Sequence, residues 1–236
     1  DEEPSISVPE VDYLLHGARS AFPSLALSAR DAVSSFAGVR PVVGTGKTRP
    51  SEESREHVLW DEEGLVTVTG GKLTTFRLIA VETLRLLRGR IPALARVRAD
   101  AGVFRPCDAP LPEAAGLDAA TARRLAGRHG GAAAEVVAGA RPGELEPVAG
   151  TPWLWAEIRH AARSERVVRL DDLLLRRVRV GLLLPDGGAS LLPRVAAICR
   201  EELAWDDERW RMEEQDYLAR WRASYSAPAA SAALCA

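Results

Sequence analysis

The sequence predicts an α/β segment followed by an all-helical domain, and two observations carry this fold class. In the first third, β-branched residues alternate along 65–69, and a glycine pair separates that strand pattern from an amphipathic helix. After residue 116, convincing alternation disappears and apolar residues recur at helical spacing. Three prolines within 104–112 mark a linker between the two parts. The expected domains are 1–103, a helical 104–223 and a flexible tail at 224–236.

The composition narrows the function classes. The 236 residues include 31 basic and 33 acidic side chains, which argues against a general nucleic-acid-binding surface. Cys107, Cys199 and Cys235 are far apart and belong to no CxxC or Cys/His pattern, so we predict neither a metal site nor a disulfide framework. A reducing compartment follows as the default. No apolar run approaches the ~20 residues of a membrane span.

The first domain is predicted to contain one hairpin between two helices. Pro9 suits the first turn of a helix that reaches about Phe22, where Pro23 ends it. The chain then becomes strand-like from Asp31. Two strands, 57–60 and 65–69, are expected to form a hairpin with a glycine in its turn. A helix should begin at Leu73.

The second domain is predicted to consist of helices over 119–128, 132–138, 152–165, 171–180, 191–203 and 206–222. Asp171 and Asp206 have the residue type expected at an N-cap. Trp210, Tyr217 and Trp221 share one helix face, which is most often core packing. Docking of that face onto another domain, subunit or membrane is the alternative. Arginines 176, 177 and 179 are expected to be solvated or ion-paired.

The turn after the second predicted strand carries the strongest chemical signal. Gly70 and Gly71 remove two side chains where the backbone turns, and Lys72 follows them. A helix N-terminus has free N–H groups and a partial positive charge, to which Lys72 adds a full charge. Such a place suits an anionic or electron-rich cofactor. The alternative is an ordinary strand-to-helix turn capped by Thr74 or Thr75.

Three ordered motifs give the chain a family resemblance. GVRPVV at 38–43, SREHVLW at 54–60 and GLVTVTGGKLTTFR at 64–77 resemble FAD-dependent, quinone-linked glycerol-3-phosphate dehydrogenases. The stretch 153–183 is similar to the helical C-terminal domain of that family. The GxGxxG motif that holds FAD pyrophosphate is absent, so the resemblance implies a C-terminal portion. The implied fold is the last piece of a D-amino-acid-oxidase-like FAD and substrate domain, followed by the helical domain.

The resemblance also implies roles for individual residues. Arg40 would bind the substrate, and Arg55 would bind its phosphate and assist catalysis. Lys72 would contact both substrate and cofactor and stabilise developing negative charge. The remaining expected FAD-binding residues are Gly70, Gly71, Leu73, Thr74 and Thr75. Surface ion pairs remain the alternative for both arginines. His57 is expected to be structural, with proton transfer as the alternative.

The implied reaction is oxidation of sn-glycerol 3-phosphate to dihydroxyacetone phosphate, with FAD as hydride acceptor and a quinone as electron sink. The alternatives are an oxidase that uses oxygen, a related flavoenzyme with another substrate, or a non-catalytic helical module. The chain alone is expected to be inactive. The expected location is the cytoplasm. Peripheral attachment to the inner face of the plasma membrane and formation of a homodimer are both left open.

Overall fold

The computed structural model describes residues 3–39, 56–98, 100–104 and 116–228. Contacts divide the chain into two compact units. The helical unit comprises Asp1–Gly38 and Cys107–Ala236, and the hairpin unit comprises Val39–Pro106. The domain boundaries expected from the sequence stay predictions.

The hairpin unit is built on two antiparallel strands, β1 (His57–Glu62) and β2 (Leu65–Gly70). His57 pairs with Gly70 and Glu62 with Leu65, which leaves a two-residue turn. Both turn residues, Glu63 and Gly64, have positive φ angles, of 49° and 89°. That conformation matches the twist of the strands, and it explains why a glycine occupies the second turn position. The predicted hairpin is therefore confirmed.

The helix of this unit starts later than the sequence indicates. A 3₁₀ turn at Leu73–Thr75 precedes α2 (Phe76–Leu87), so the predicted start at Leu73 is three residues early. No described residue of the hairpin unit is fully buried. Leu73 is 88% exposed, and Val68 and Phe76 are also exposed. The unit thus presents an apolar surface, and its expected origin in a D-amino-acid-oxidase-like domain stays a prediction.

The helical unit confirms the predicted all-helical character of the second part. Its described α-helices are α1 (Val8–Ala21), α3 (Ala119–His129), α4 (Ala133–Ala138), α5 (Trp155–Ser164), α6 (Leu192–Leu203) and α7 (Asp207–Arg220). Two π-helical segments, Asp172–Arg177 and Trp221–Tyr225, complete it together with short 3₁₀ turns. None of the helices in the described part of the chain combines the length and apolar character needed to cross a membrane.

The aromatic face that runs from α7 into the Trp221–Tyr225 segment packs in the core. Trp210, Tyr217 and Trp221 are 6%, 1% and 5% exposed and belong to the main hydrophobic cluster. The cluster is contributed mainly by α5, α6 and the Asp172–Arg177 segment. A smaller cluster surrounds Leu125. The interpretation of the aromatic face as core is confirmed.

The predicted N-cap is confirmed for Asp206 and is wrong for Asp171. Asp206 accepts a hydrogen bond from the backbone N–H of Arg209 at 2.8 Å, as an N-cap does. Asp171 makes no cap hydrogen bond. Its buried carboxylate instead accepts a hydrogen bond from Arg176 at 2.7 Å. Arg176 is thus ion-paired, as expected for this arginine run.

The segment before residue 39 is not a strand. Residues 32–39 have no regular secondary structure, and residues 32–38 belong to the helical unit. The N–H of Ser35 donates to the carbonyl oxygen of Tyr225 at 2.8 Å, and the Ser34 hydroxyl donates to that of Leu182. Ser224, next to the Tyr225 that accepts the bond from Ser35, is buried. Hydrogen bonds from Ser34 and Ser35 to the helical unit therefore hold this segment, where the sequence predicted a strand.

A charge network joins α5 to α6 in the helical unit. The guanidinium of Arg159 bonds Glu144, Glu201 and Glu202 at 2.6–2.7 Å, and Arg163 bonds Glu202 twice at 2.8 Å. These bonds lower the pKa of Glu202 from 4.5 to about 2, with Arg163 the largest cause and burial opposing it. The folded state therefore favours the ionised carboxylate.

We expect this network to make the helical unit acid-sensitive. Because the folded pKa of Glu202 is depressed, its stabilisation is complete above pH 4.5 and is lost as pH falls towards about 2. Thermal melts of Glu202→Gln between these limits should show a shallower fall in Tm than wild type. The exposed Glu208→Gln is the control and should melt like wild type throughout. Equal slopes for wild type and Glu202→Gln would contradict the assignment.

Candidate functional site

The predicted cofactor-binding residues form one continuous turn between β2 and α2. Gly70 and Gly71 have φ angles of 76° and 80°, a region that side chains disfavour. A Cβ on Gly70 would lie 2.6 Å from the carbonyl oxygen of Glu56, and a Cβ on Gly71 would lie 2.6 Å from Cδ1 of Ile79. The positive φ angles at both positions, together with the nearby backbone oxygen of Glu56 at Gly70, thus favour glycine whatever else approaches the turn.

Thr75 is partly engaged within the turn. Its hydroxyl donates to the carbonyl oxygen of Lys72 at 2.9 Å and accepts from the Lys72 N–H at 3.3 Å. This hydroxyl stabilises the turn, as the alternative interpretation of an ordinary cap expects. Thr74 and Leu73 are exposed.

Lys72 is exposed at the start of the 3₁₀ turn. Within the described ranges, no carboxylate forms an ion pair with its ammonium group. An ammonium group without an anionic partner is free to attract an anion from solution. The structure therefore leaves this charge available for a ligand.

Two grooves meet at Gly71 and Lys72. The first has a volume of about 660 Å³, and its wall is mainly apolar: Val68, Leu73, Phe76, Ile79, Ala80 and Leu84 line it with Thr83 and the glycines. The second, of about 770 Å³, is lined by Glu56, His57, Thr75, Leu78 and Glu82. An apolar wall with a cation at its rim suits a flat aromatic ligand that has a polar edge.

His57 lies on the wall of the second groove and is already paired. Its Nε2 atom is 2.6 Å from Oε2 of Glu82, and the histidine side chain is 15% exposed. The pair links the start of β1 to α2. This contact is what the structural interpretation of His57 expects, and its alternative role in proton transfer stays a prediction.

Arg40 and Arg55 lie outside the described residues. Their predicted roles in binding substrate phosphate therefore stay predictions, as does the catalytic role of Lys72. The fold does bring together three potential ligands that sequence reasoning missed, namely His129, His160 and Glu165. Their separations of 31 and five positions match no metal motif, so only the packing of α3 against α5 could show them.

Comparison with known proteins places the chain in a family. Residues 93–210, half of the chain, match the family described as the C-terminal domain of alpha-glycerophosphate oxidase. Glycerol-3-phosphate dehydrogenases 1 and 2 of Mycobacterium bovis are 34% and 30% identical over 85% and 92% of the chain. The mitochondrial glycerol-3-phosphate dehydrogenase of Arabidopsis thaliana is 29% identical over 92%.

The chain spans 39% of the length of each of these relatives. The match at 93–210 includes α3 to α6 and ends within α7. The aligned relatives extend over most of the remaining chain. The chain thus belongs to the family defined by the C-terminal domain of alpha-glycerophosphate oxidase.

Proposed function

We propose that the chain supplies part of the active site of an FAD-dependent glycerol-3-phosphate dehydrogenase, which oxidises sn-glycerol 3-phosphate to dihydroxyacetone phosphate. The observation that carries this function is Lys72, an ammonium group without an anionic partner in the described ranges, at the rim of an apolar groove. The names of the M. bovis relatives support the substrate. Because the chain covers 39% of their length, the activity is proposed for the full-length enzyme.

The groove beside the Gly70–Gly71 turn is chemically suited to a flavin ring. Its wall includes Phe76 and Leu73, which would contact the faces of a flat ring, and Lys72 would lie near a polar edge. Bound FAD would supply a two-electron acceptor for the hydride that leaves the alcohol carbon. The exposed apolar surface of the hairpin unit is consistent with contact to such a group.

Each proposed residue acts through charge or position. Lys72 would hold a positive charge beside atoms that become more negative during the reaction, which lowers the barrier. Arg40 and Arg55 would bind the phosphate dianion of the substrate through paired N–H groups. Gly70, Gly71, Leu73, Thr74 and Thr75 would present backbone groups to the cofactor. Of these residues, Thr75 already bonds Lys72 through both its hydroxyl and its N–H, so contact with the cofactor would require it to give up one of these bonds.

The Lys72 assignment gives a measurable expectation. Lys72→Met in the full-length enzyme should lower kcat/KM for glycerol 3-phosphate at least about tenfold, since a preorganised charge near the reacting atoms is removed. The midpoint potential of the bound flavin should become more negative, because its reduced form loses a neighbouring cation. Dye-linked turnover and spectroscopic redox titration measure the two quantities.

Two further variants test whether the effect belongs to the charge. Lys72→Arg keeps the positive charge and should restore part of the potential. Arg85→Gln removes an exposed cation from α2 and should leave both quantities at the wild-type level. If Lys72→Met retained wild-type potential and kcat/KM, Lys72 would have no place in the active site.

An oxidase is the second candidate, because the matched family takes its description from alpha-glycerophosphate oxidase. The two enzymes differ in the final electron acceptor, a quinone or oxygen. Oxygen uptake with glycerol 3-phosphate and no quinone would identify the oxidase. Turnover only with an added quinone analogue would identify the dehydrogenase.

A non-catalytic helical module is the third candidate. Among the described residues, all fully buried side chains belong to the helical unit, which could therefore be stable without taking part in chemistry. Full-length protein that neither binds FAD nor reduces any acceptor with glycerol 3-phosphate would establish this function. Homodimer formation and peripheral membrane attachment stay predictions.

A further inference from the structure

Two histidines and a glutamate meet where α3 and α5 end. His129 is the last residue of α3, His160 lies in α5, and Glu165 caps the end of α5. One potential ligand atom from each lies within 4.8 Å of the other two. All three side chains are partly buried, and none has a role in the proposed function. Two imidazoles and a carboxylate form a ligand set that binds zinc in proteins.

Two of the three side chains, His160 and Glu165, have metal-binding atoms that make no hydrogen bond to described residues. Among the described residues, neither ring nitrogen of His160 has a hydrogen-bond partner, and neither does the carboxylate of Glu165. The His160 ring instead lies edge-on to that of His129, with centroids 5.5 Å apart and planes at 82°. The lone pairs of His160 and of the Glu165 carboxylate are therefore not occupied by another described side chain and can bind a cation.

The third group is oriented by a buried carboxylate. Nε2 of His129 is 3.0 Å from Oε1 of Glu157, whose side chain is fully buried. Neutral His129 therefore donates its proton from Nε2 to Glu157 and keeps a lone pair on Nδ1. A histidine that binds a metal through one nitrogen commonly donates a hydrogen bond to a carboxylate through the other. Glu157 is in place for that function before any metal arrives.

The surrounding charges do not oppose a cation strongly. The charged side chains that interact with His160 or Glu165 include Glu135, Arg163 and Arg128. Both arginines are paired elsewhere. Arg163 makes two hydrogen bonds to Glu202, and Nε of Arg128 lies 3.8 Å from Oε1 of Glu157. The carboxylate of Glu165 remains to balance the charge of a divalent ion.

We propose that His129, His160 and Glu165 form a zinc site that fastens the end of α3 to the end of α5. His129 would bind through Nδ1, and water would complete a tetrahedron. Metal–ligand bonds of about 2.0–2.1 Å place ligand atoms about 3.3 Å apart, so the group must contract from separations of up to 4.8 Å. Rotation of the partly buried His160 and Glu165 side chains about their χ angles supplies that movement.

Zinc binding by the full chain tests the site directly. The metal-free protein is titrated with Zn²⁺ against a chromophoric chelator, and we expect one site with a Kd of about 1 µM or below. His160→Ala should weaken binding at least about tenfold, and Glu165→Gln should weaken it by a similar factor. Co²⁺ should give the intense visible absorption of a tetrahedral site, and that absorption should be lost in His160→Ala.

His16→Ala is the matched control, because His16 is an exposed histidine on α1 of the same unit. It should bind Zn²⁺ like wild type. His160 makes no hydrogen bond to the described residues, so metal-free His160→Ala should fold normally, which its circular dichroism checks. Zinc should raise the Tm of wild type and of His16→Ala, and it should leave the Tm of His160→Ala unchanged. Equal losses in His16→Ala and His160→Ala, or no binding below about 1 mM, would overturn the site.

Discussion

Glu157→Ala is expected to lower the free energy of unfolding of the helical unit by about 3–5 kcal/mol, because it leaves the partly buried guanidinium of Arg124 and the buried N–H of Leu154 without their partner. The Glu157 side chain is 0% exposed, and Oε2 bonds Arg124 at 2.6 Å and the Leu154 N–H at 2.9 Å. Its Oε1 contacts His129. These groups act against burial and lower the pKa of Glu157 from 4.5 to about 2. Urea unfolding followed by circular dichroism measures the loss.

Two variants separate charge from packing in this position. Glu157→Gln keeps the shape and part of the hydrogen bonding, and it should be less destabilising than the alanine variant. Glu146→Ala removes an exposed carboxylate from the same unit and should change the stability by no more than about 0.5 kcal/mol. If Glu157→Ala unfolded within about 1 kcal/mol of wild type, the buried carboxylate would not hold α3 to α5 as its contacts indicate.

Local patterns in the sequence were sufficient for most helices and for the hairpin. Apolar spacing located α5, α6 and α7 to within a few residues, because each helix must turn one face to the same core. The cap at Asp206 depends on a contact three residues away, which is also local. Such features are fixed by neighbouring residues, so one sequence is enough to predict them.

Features that depend on distant partners were missed. Asp171 has the chemistry of a cap, but Arg176 and Arg220 draw its carboxylate into an ion-pair network. The extended run before residue 39 is held by hydrogen bonds to residues about 150–190 positions away. The proposed zinc ligands likewise come from two helices. Propensity contains no information about such contacts.

The candidate site likewise has a part that local sequence predicts and a part that it does not. Gly70 and Gly71 were predicted as a turn, and their positive φ angles bear this out. The resemblance, not the turn, supplied the flavin and the substrate, because a glycine pair before a lysine serves many purposes. The packing of both glycines against Glu56 and Ile79 shows that a local structural reason already accounts for them. Lys72 lacks such a local reason among the described residues, which is why the function depends on it.

Trp221→Ala is expected to destabilise the helical unit by about 3–5 kcal/mol, since it empties a large volume from the main cluster. Trp221 is 5% exposed, and its Nε1–H donates to the carbonyl oxygen of Gly181 at 2.8 Å. Its ring packs directly on Gly187, where a Cβ would lie 2.8 Å from ring atoms. The substitution therefore removes packing and leaves a buried carbonyl unsatisfied. Urea unfolding monitored by circular dichroism gives the change in free energy.

Matched variants distinguish these two causes. Trp221→Phe keeps an aromatic ring but loses the hydrogen bond, so we expect a smaller cost of about 1–3 kcal/mol. Met212→Ala truncates an exposed side chain of α7 and should cost no more than about 0.5 kcal/mol. Equal stability of Trp221→Ala and Met212→Ala would mean that the aromatic face is not core. The docking alternative for that face would then be favoured, because a side chain used only for docking contributes little to the stability of the free unit.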